Sequence, residues 1–128
     1  MSSKQLSELS QAIVEQSADS IIFADQAGII RIWNAASERL FGFTAADSVG
    51  QSLDLIIPER LREPHWRGYH AAMQSGATKH AGRPTLTKAL HKSGETIYVQ
   101  MSFAVVSSPK NAVLGSVAIA RSAATPTK

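Results

Sequence analysis

The spacing of apolar and polar positions changes character twice along the chain. Over residues 3–18, Leu6, Leu9, Ile13 and Val14 recur at helical spacing between Glu, Gln and Ser, which predicts an amphipathic helix. Its stripe suits either a lid over the domain or contact with a second copy, and periodicity does not choose between them. From Ser20 the pattern becomes short β-branched runs. Residues 20–25 and 29–34 flank Gln26-Ala27-Gly28 and predict a hairpin. Asn34 is placed to cap a helix through Ala35 and Phe41 that Gly42 ends, and Thr44 to Asp47 predicts one more capped turn.

Residues 53–57 are apolar, and Pro58 starts a turn through Arg62. Glu63 precedes a proline and is biased away from helix, whereas Pro64 suits a first helical position. The predicted helix therefore runs from Pro64 to Ser75 and closes on Gly76. The rest reads as β: residues 83–92, a turn at Lys92-Ser93-Gly94-Glu95, Thr96 to Val106, a turn with Pro109, and Val113 to Ala120. The expected organisation is a helix within residues 1–18, one domain over 19–121 and a flexible tail at 122–128.

Composition narrows the chemistry. The 128 residues include 13 Lys+Arg, 10 Asp+Glu, four His and no Cys, which fits a single domain of ordinary charge. Without cysteine there are no disulfides, thiolate nucleophiles, thiolate zinc or Fe–S sites, and no flavin–cysteinyl photochemistry. Basic residues are scattered, so nucleic-acid binding is not expected. The N-terminus lacks a signal pattern and no apolar run approaches about 20 residues, so a cytoplasmic location and no membrane association are expected. No G-x-S-x-G, Walker-type or G-x-G-x-x-G string occurs, and an enzyme is not expected.

The string from Asp19 through Asp25 and Gly28, then Ile32-Trp33-Asn34-Ala35-Ala36-Ser37-Glu38-Arg39-Leu40-Phe41-Gly42-Phe43, resembles the opening of a PAS sensor domain. Lys92-Ser93-Gly94-Glu95 resembles the K-D-G-[ST] hairpin of that family, with Ser93 in place of Asp. The resemblance covers about residues 17–121. It implies an α+β fold, a five-stranded antiparallel sheet with short helices on one face, here preceded by the amphipathic helix. Within such a scaffold Gly28 supplies a φ > 0 turn, Asn34 bridges strand to helix, and Leu40 and Phe41 plug the core.

The helix after Pro64 faces the cavity of such a fold. Counting from His65, Tyr69, Ala72 and Met73 fall on one stripe, with the imidazole at the first turn. Ile57-Pro58-Glu59-Arg60-Leu61-Arg62-Glu63-Pro64-His65 also resembles the M/I-P-x-x-x-R-x-x-H string of the haem-binding PAS domains of FixL-type oxygen sensors and related haem phosphodiesterases. That resemblance implies haem b, with His65 as the proximal iron ligand; read alone, His65 is equally a partly exposed polar residue. On the distal side the same alignment places Thr85 where the resembled sensors carry an Arg that stabilises bound oxygen, and Arg83 where other members carry a Met that caps the iron. Arg83 is read either as a donor to an iron-bound ligand or as a solvated strand-start arginine. Met101 and Phe103 alternate on the long strand and are expected to line the distal wall, with Val117 and Ile119 beside them. Trp66 either packs outside the pocket or partly fills it. His80 either reaches a propionate or is solvated, His70 lies about 140° from His65 and faces away, and His91 is exposed.

The expected function is sensing of a diatomic gas, O2, CO or NO, in signal transduction. The alternative is a haem-free PAS module that forms a homodimer through Leu6, Leu9, Ile13 and Val14, or binds a small organic ligand or flavin non-covalently. Ala118-Ile119-Ala120-Arg121 runs into Ser122-Ala123-Ala124 where such sensors often carry a D-[IV]-T string. The expected output partner is therefore a separate protein or a domain outside this stretch.

Overall fold

The computed structural model describes residues 1–78 and 82–126. Helix α1 (Ser3–Gln16) leads into β1 (Ser20–Asp25) and β2 (Ile30–Trp33). Helices α2 (Ala35–Phe41) and α3 (Ala45–Ser48), a 3-10 turn (Leu53–Ile56) and the long α4 (Glu59–Ser75) follow, and β3 (Thr85–Leu90), β4 (Thr96–Ser107) and β5 (Val113–Ser122) close the fold. The strands form one antiparallel sheet in the order β2-β1-β5-β4-β3. β1 and β5, from opposite ends of the chain, lie side by side at its centre.

Local chemistry accounts for most element boundaries. The Ser2 side chain and Gln5 form a capping box at the start of α1. Asn34 and Thr44 accept from the Ser37 and Asp47 amides at the heads of α2 and α3, and Gly42, at φ 85°, ends α2. In the β1–β2 turn the Asp25 carboxylate accepts from the Ala27 and Ile29 amides and pairs with Arg31. Burial works to raise its pKa, but those donors prevail and the net shift is downward. Phe41, Ile22, Ile30 and Val99 are fully buried at the heart of the core. The Trp33 ring lies 5.5 Å from Phe41 and donates through Nε1 to the Phe43 carbonyl.

Three expectations change. Helix α4 begins at Glu59, five residues early, and carries Pro64 inside it, so His65 sits well within the helix and not at its first turn. Pro64 removes one rung of the helix. The turn before it is held by Arg62, whose guanidinium donates to the Ile57 and Asp54 carbonyls. At the other end, β5 continues through Ser122, and Ala123 still donates to Tyr98, so this part of the expected tail is ordered against β4. Finally, α1 is no lid. None of its residues is buried, and Leu6, Leu9 and Ile13 remain 56%, 43% and 60% exposed.

Candidate ligand-binding site

Helix α4 crosses the inner face of the sheet and encloses a cavity of about 450 Å3, within the range of roughly 300–1,000 Å3 usual for small-molecule sites. Its walls are mostly apolar. The floor is Ala24, Ala89 and Ala118 with Ser116, small side chains that leave depth between helix and sheet, and Met101, Phe103 and Val105 form one side. His65, Gly68, Ala72 and Met73 face it from α4. A Cβ at Gly68 would meet no protein atom within 4 Å. Glycine inside a helix costs roughly 0.5–1 kcal/mol relative to alanine, and no neighbouring protein group requires it here. Thr85, Thr87, Arg83 and Lys88 line the β3 side, Arg83 lying just before the strand and exposed.

The His65 imidazole is half-buried, and its Nδ1 is buried without a hydrogen-bond partner among the described residues. Burial lowers its pKa below the usual histidine range, the Asp54 carboxylate pulls the other way, and His70 adds to the depression. The ring stands edge-on to Trp66 at 4.8 Å and stacks on Tyr69 at 5.7 Å. Because the folded state disfavours the protonated ring, the unfolded chain binds the proton more readily. Stability is therefore present above about pH 6.5, the unfolded value, and is lost as pH falls through the folded pKa. We expect the urea midpoint to fall more between pH 7.5 and 5.5 in wild type than in His65→Gln; equal falls would exclude this linkage.

The structure places the remaining sequence candidates as follows. Tyr69, Met73, Arg83, Thr85, Met101 and Phe103 all line the cavity with His65. Ile119 does not: it is 41% exposed on the outer face of the sheet, and Val117 shares that face. The cause is register. Met101 pairs with Ala120 and Phe103 with Ala118, and the pairing shifts by one residue at Val106/Ser107. A one-residue shift exchanges the two faces of a strand, so Ala118 and Ser116 point inward where Ile119 and Val117 were expected. His80 lies outside the described residues. His70 is exposed and stacked on Trp66, whereas His91 is half-buried against Gly42 rather than exposed.

Trp66 packs outside the cavity. Its ring lies against Gly28, where a Cβ would come within 2.1 Å of it, and Nε1 donates to Asp54 at 2.7 Å. Gly28 is thus held both by its φ of 79° and by the indole. Gly68, Asp54 and the β5 floor belong to the site without having been among the sequence candidates. Gly68 carried a legible signal, a glycine on the His65–Ala72 helical stripe.

Comparison with known proteins sets this geometry in context. The chain is 34% identical over 55 residues to the sensor protein FixL of Bradyrhizobium diazoefficiens, a match covering 43% of the chain and 11% of that protein. The chain thus spans only a small part of that relative. Among solved structures, a PAS domain from Colwellia psychrerythraea superposes with a TM-score of 0.79 at 19% identity, covering 92% of this chain and 97% of that one. An RNA-binding Light-Oxygen-Voltage receptor superposes at 0.74 and 17% identity, covering 95% of this chain and 34% of that one. Both likenesses concern the fold. The family model of the PAS fold matches residues 8–123, from within α1 to just past β5, and the protein belongs to that family of sensory signalling domains.

Proposed function

We propose that this PAS domain binds haem b in the cavity between α4 and the sheet, with His65 as the protein's iron ligand, and senses O2, CO or NO as part of a cytoplasmic signalling protein. The observation that carries the reading is the state of His65: an imidazole held toward its neutral, metal-binding form, beside an apolar cavity, with its buried Nδ1 unpartnered. Among the described residues no three His, Asp or Glu side chains gather as a metal site. A lone histidine suits a metal that arrives with its own ring of nitrogens. The partial likeness to FixL supports the same ligand.

When bound, haem supplies iron with a coordination position for a diatomic gas. The chain supplies the rest. His65 presents the imidazole, Gly68 and Ala72 leave space beside it, and Met101, Phe103 and Val105 keep water from that side. Arg83 and Thr85 offer donors to a bound gas or to a propionate. Adding hemin to the purified protein should give a Soret band that moves when the reduced protein meets CO, and His65→Ala should lose it. A wild-type protein that stays colourless would overturn the reading.

A haem-free module is the second reading, and two observations favour it. A Light-Oxygen-Voltage receptor shares the fold, so a flavin spectrum in the purified protein would choose a non-covalent flavin. The exposed stripe of α1 fits a homodimer. Leu9→Glu with Ile13→Glu should halve the apparent mass in solution; an unchanged association state excludes α1 as the contact.

A further inference from the structure

We propose that Tyr69 is a positioning residue that orients the His65 imidazole by stacking on it from a tethered ring. The inference deepens the reading of His65 as the residue that meets the ligand, and rests on it. Metal-binding histidines are ordinarily oriented by a hydrogen bond from the second ring nitrogen. Among the described residues the buried Nδ1 of His65 has no hydrogen-bond partner. What touches the ring instead is aromatic: Trp66 edge-on and Tyr69 face-on at an interplanar angle of 30°.

Tyr69 is the better anchored of the two faces. It is only 6% exposed, one helical turn beyond His65, and its hydroxyl reaches across to the sheet. There it donates to the Asp25 carbonyl at 2.6 Å, with the Ala24 carbonyl as a longer acceptor at 3.2 Å, and it accepts from the Ser116 hydroxyl at 3.3 Å. The phenol is thus fixed at Cα by α4 and at its oxygen by β1 and β5. The tethers fix the axis of the ring and its burial restricts rotation about that axis, so the imidazole stacked on it meets a held surface. The Asp25 carbonyl that accepts from the phenol also accepts from the Gly28 amide in the β1–β2 turn. The indole that meets the imidazole edge-on rests on the same Gly28. Imidazole, phenol and turn therefore form one connected body, and the side chain that meets the ligand is joined to the turn rather than only to its own helix.

Tyr69→Phe separates this role from bulk, because it keeps the ring and removes only the tether. Side-chain NMR relaxation of the His65 ring without any ligand reads the inference directly. The ring should be as rigid as its backbone in wild type and visibly mobile on the nanosecond timescale in Tyr69→Phe, with the thermal midpoint reported alongside. A ring that stays rigid in the folded variant would overturn the proposal. Hemin gives the functional arm: affinity should fall about tenfold in Tyr69→Phe, as for loss of a residue orienting a metal ligand, with the Soret position unchanged. Unaltered affinity would also overturn it. If wild type binds no hemin, the haem reading fails, while the relaxation measurement still decides whether Tyr69 orients His65.

Discussion

Replacing Asn34 with leucine should destabilise the domain by about 4 kcal/mol, because one fully buried amide serves five partners. Its Oδ1 accepts from the Ile21 amide, the Ser37 amide and the Ser37 hydroxyl at 2.9, 3.0 and 2.7 Å. Its Nδ2 donates to the carbonyls of Val14 and Asp19 at 2.8 and 3.0 Å. Leucine has similar bulk and satisfies none of them, and a buried donor or acceptor left unpaired costs about 1–3 kcal/mol. Some of these groups will find water at the part-buried α1 junction, which is why the full sum is not expected. At about 4 °C per kcal/mol for a domain of this size, the thermal midpoint should fall by roughly 15 °C. Asn34→Asp keeps the cap on α2 but sets an oxygen against the Val14 and Asp19 carbonyls in place of a donor, so it should be clearly destabilising as well. A drop below about 1 kcal/mol for Asn34→Leu would show that these bonds are replaced by solvent.

The second large effect is expected at Gly115. A Cβ there would lie 2.0 Å from the Ala24 carbonyl oxygen and 2.9 Å from both Asp25 Cα and the Phe23 ring. Two of those atoms are backbone of the neighbouring strand, so relief requires β1 and β5 to part where Asp25 faces Gly115. Overpacking typically costs 1–3 kcal/mol, and a clash with backbone belongs at the upper end, about 3 kcal/mol. The same separation moves Ser116 from the Tyr69 hydroxyl. Gly115→Ala should therefore lower the urea midpoint and quench any hemin binding together. A variant as stable as wild type would mean that the strands accommodate a methyl group at this crossing.

These two residues mark what the sequence does and does not disclose. Asn34 is legible as a cap because a side-chain acceptor before Ala35 has a local partner three residues on. Its bonds to Val14 and Asp19 join segments that meet only in the fold. Gly115 carries no local signal at all: its constraint is a carbonyl ninety residues earlier in the chain. The succession of strands and capped helices along the chain follows from spacing and turn chemistry, whereas the pairing of β1 with β5 does not. The inward face of β5 does not, since the irregularity at Val106/Ser107 decides whether Ala118 or Ile119 reaches the cavity. Helix α4 is similar, because the bias of Glu63 away from helix is a local preference that the Arg62 bonds to Ile57 and Asp54 outweigh. His65 stood out as the candidate ligand on its motif. Its tethered neighbour Tyr69 was visible only as one more residue on the stripe.

Chemical rescue tests most directly whether His65 presents an imidazole to a ligand in the α4 cavity. His65→Gly removes the side chain and leaves space that free imidazole can enter. The absorption spectrum of this variant with hemin should lack the Soret band of the coordinated wild type and regain it when imidazole is added. A hemin-treated His65→Gly spectrum identical to wild type before imidazole is added would contradict the account, since it would place the ligand on some other residue.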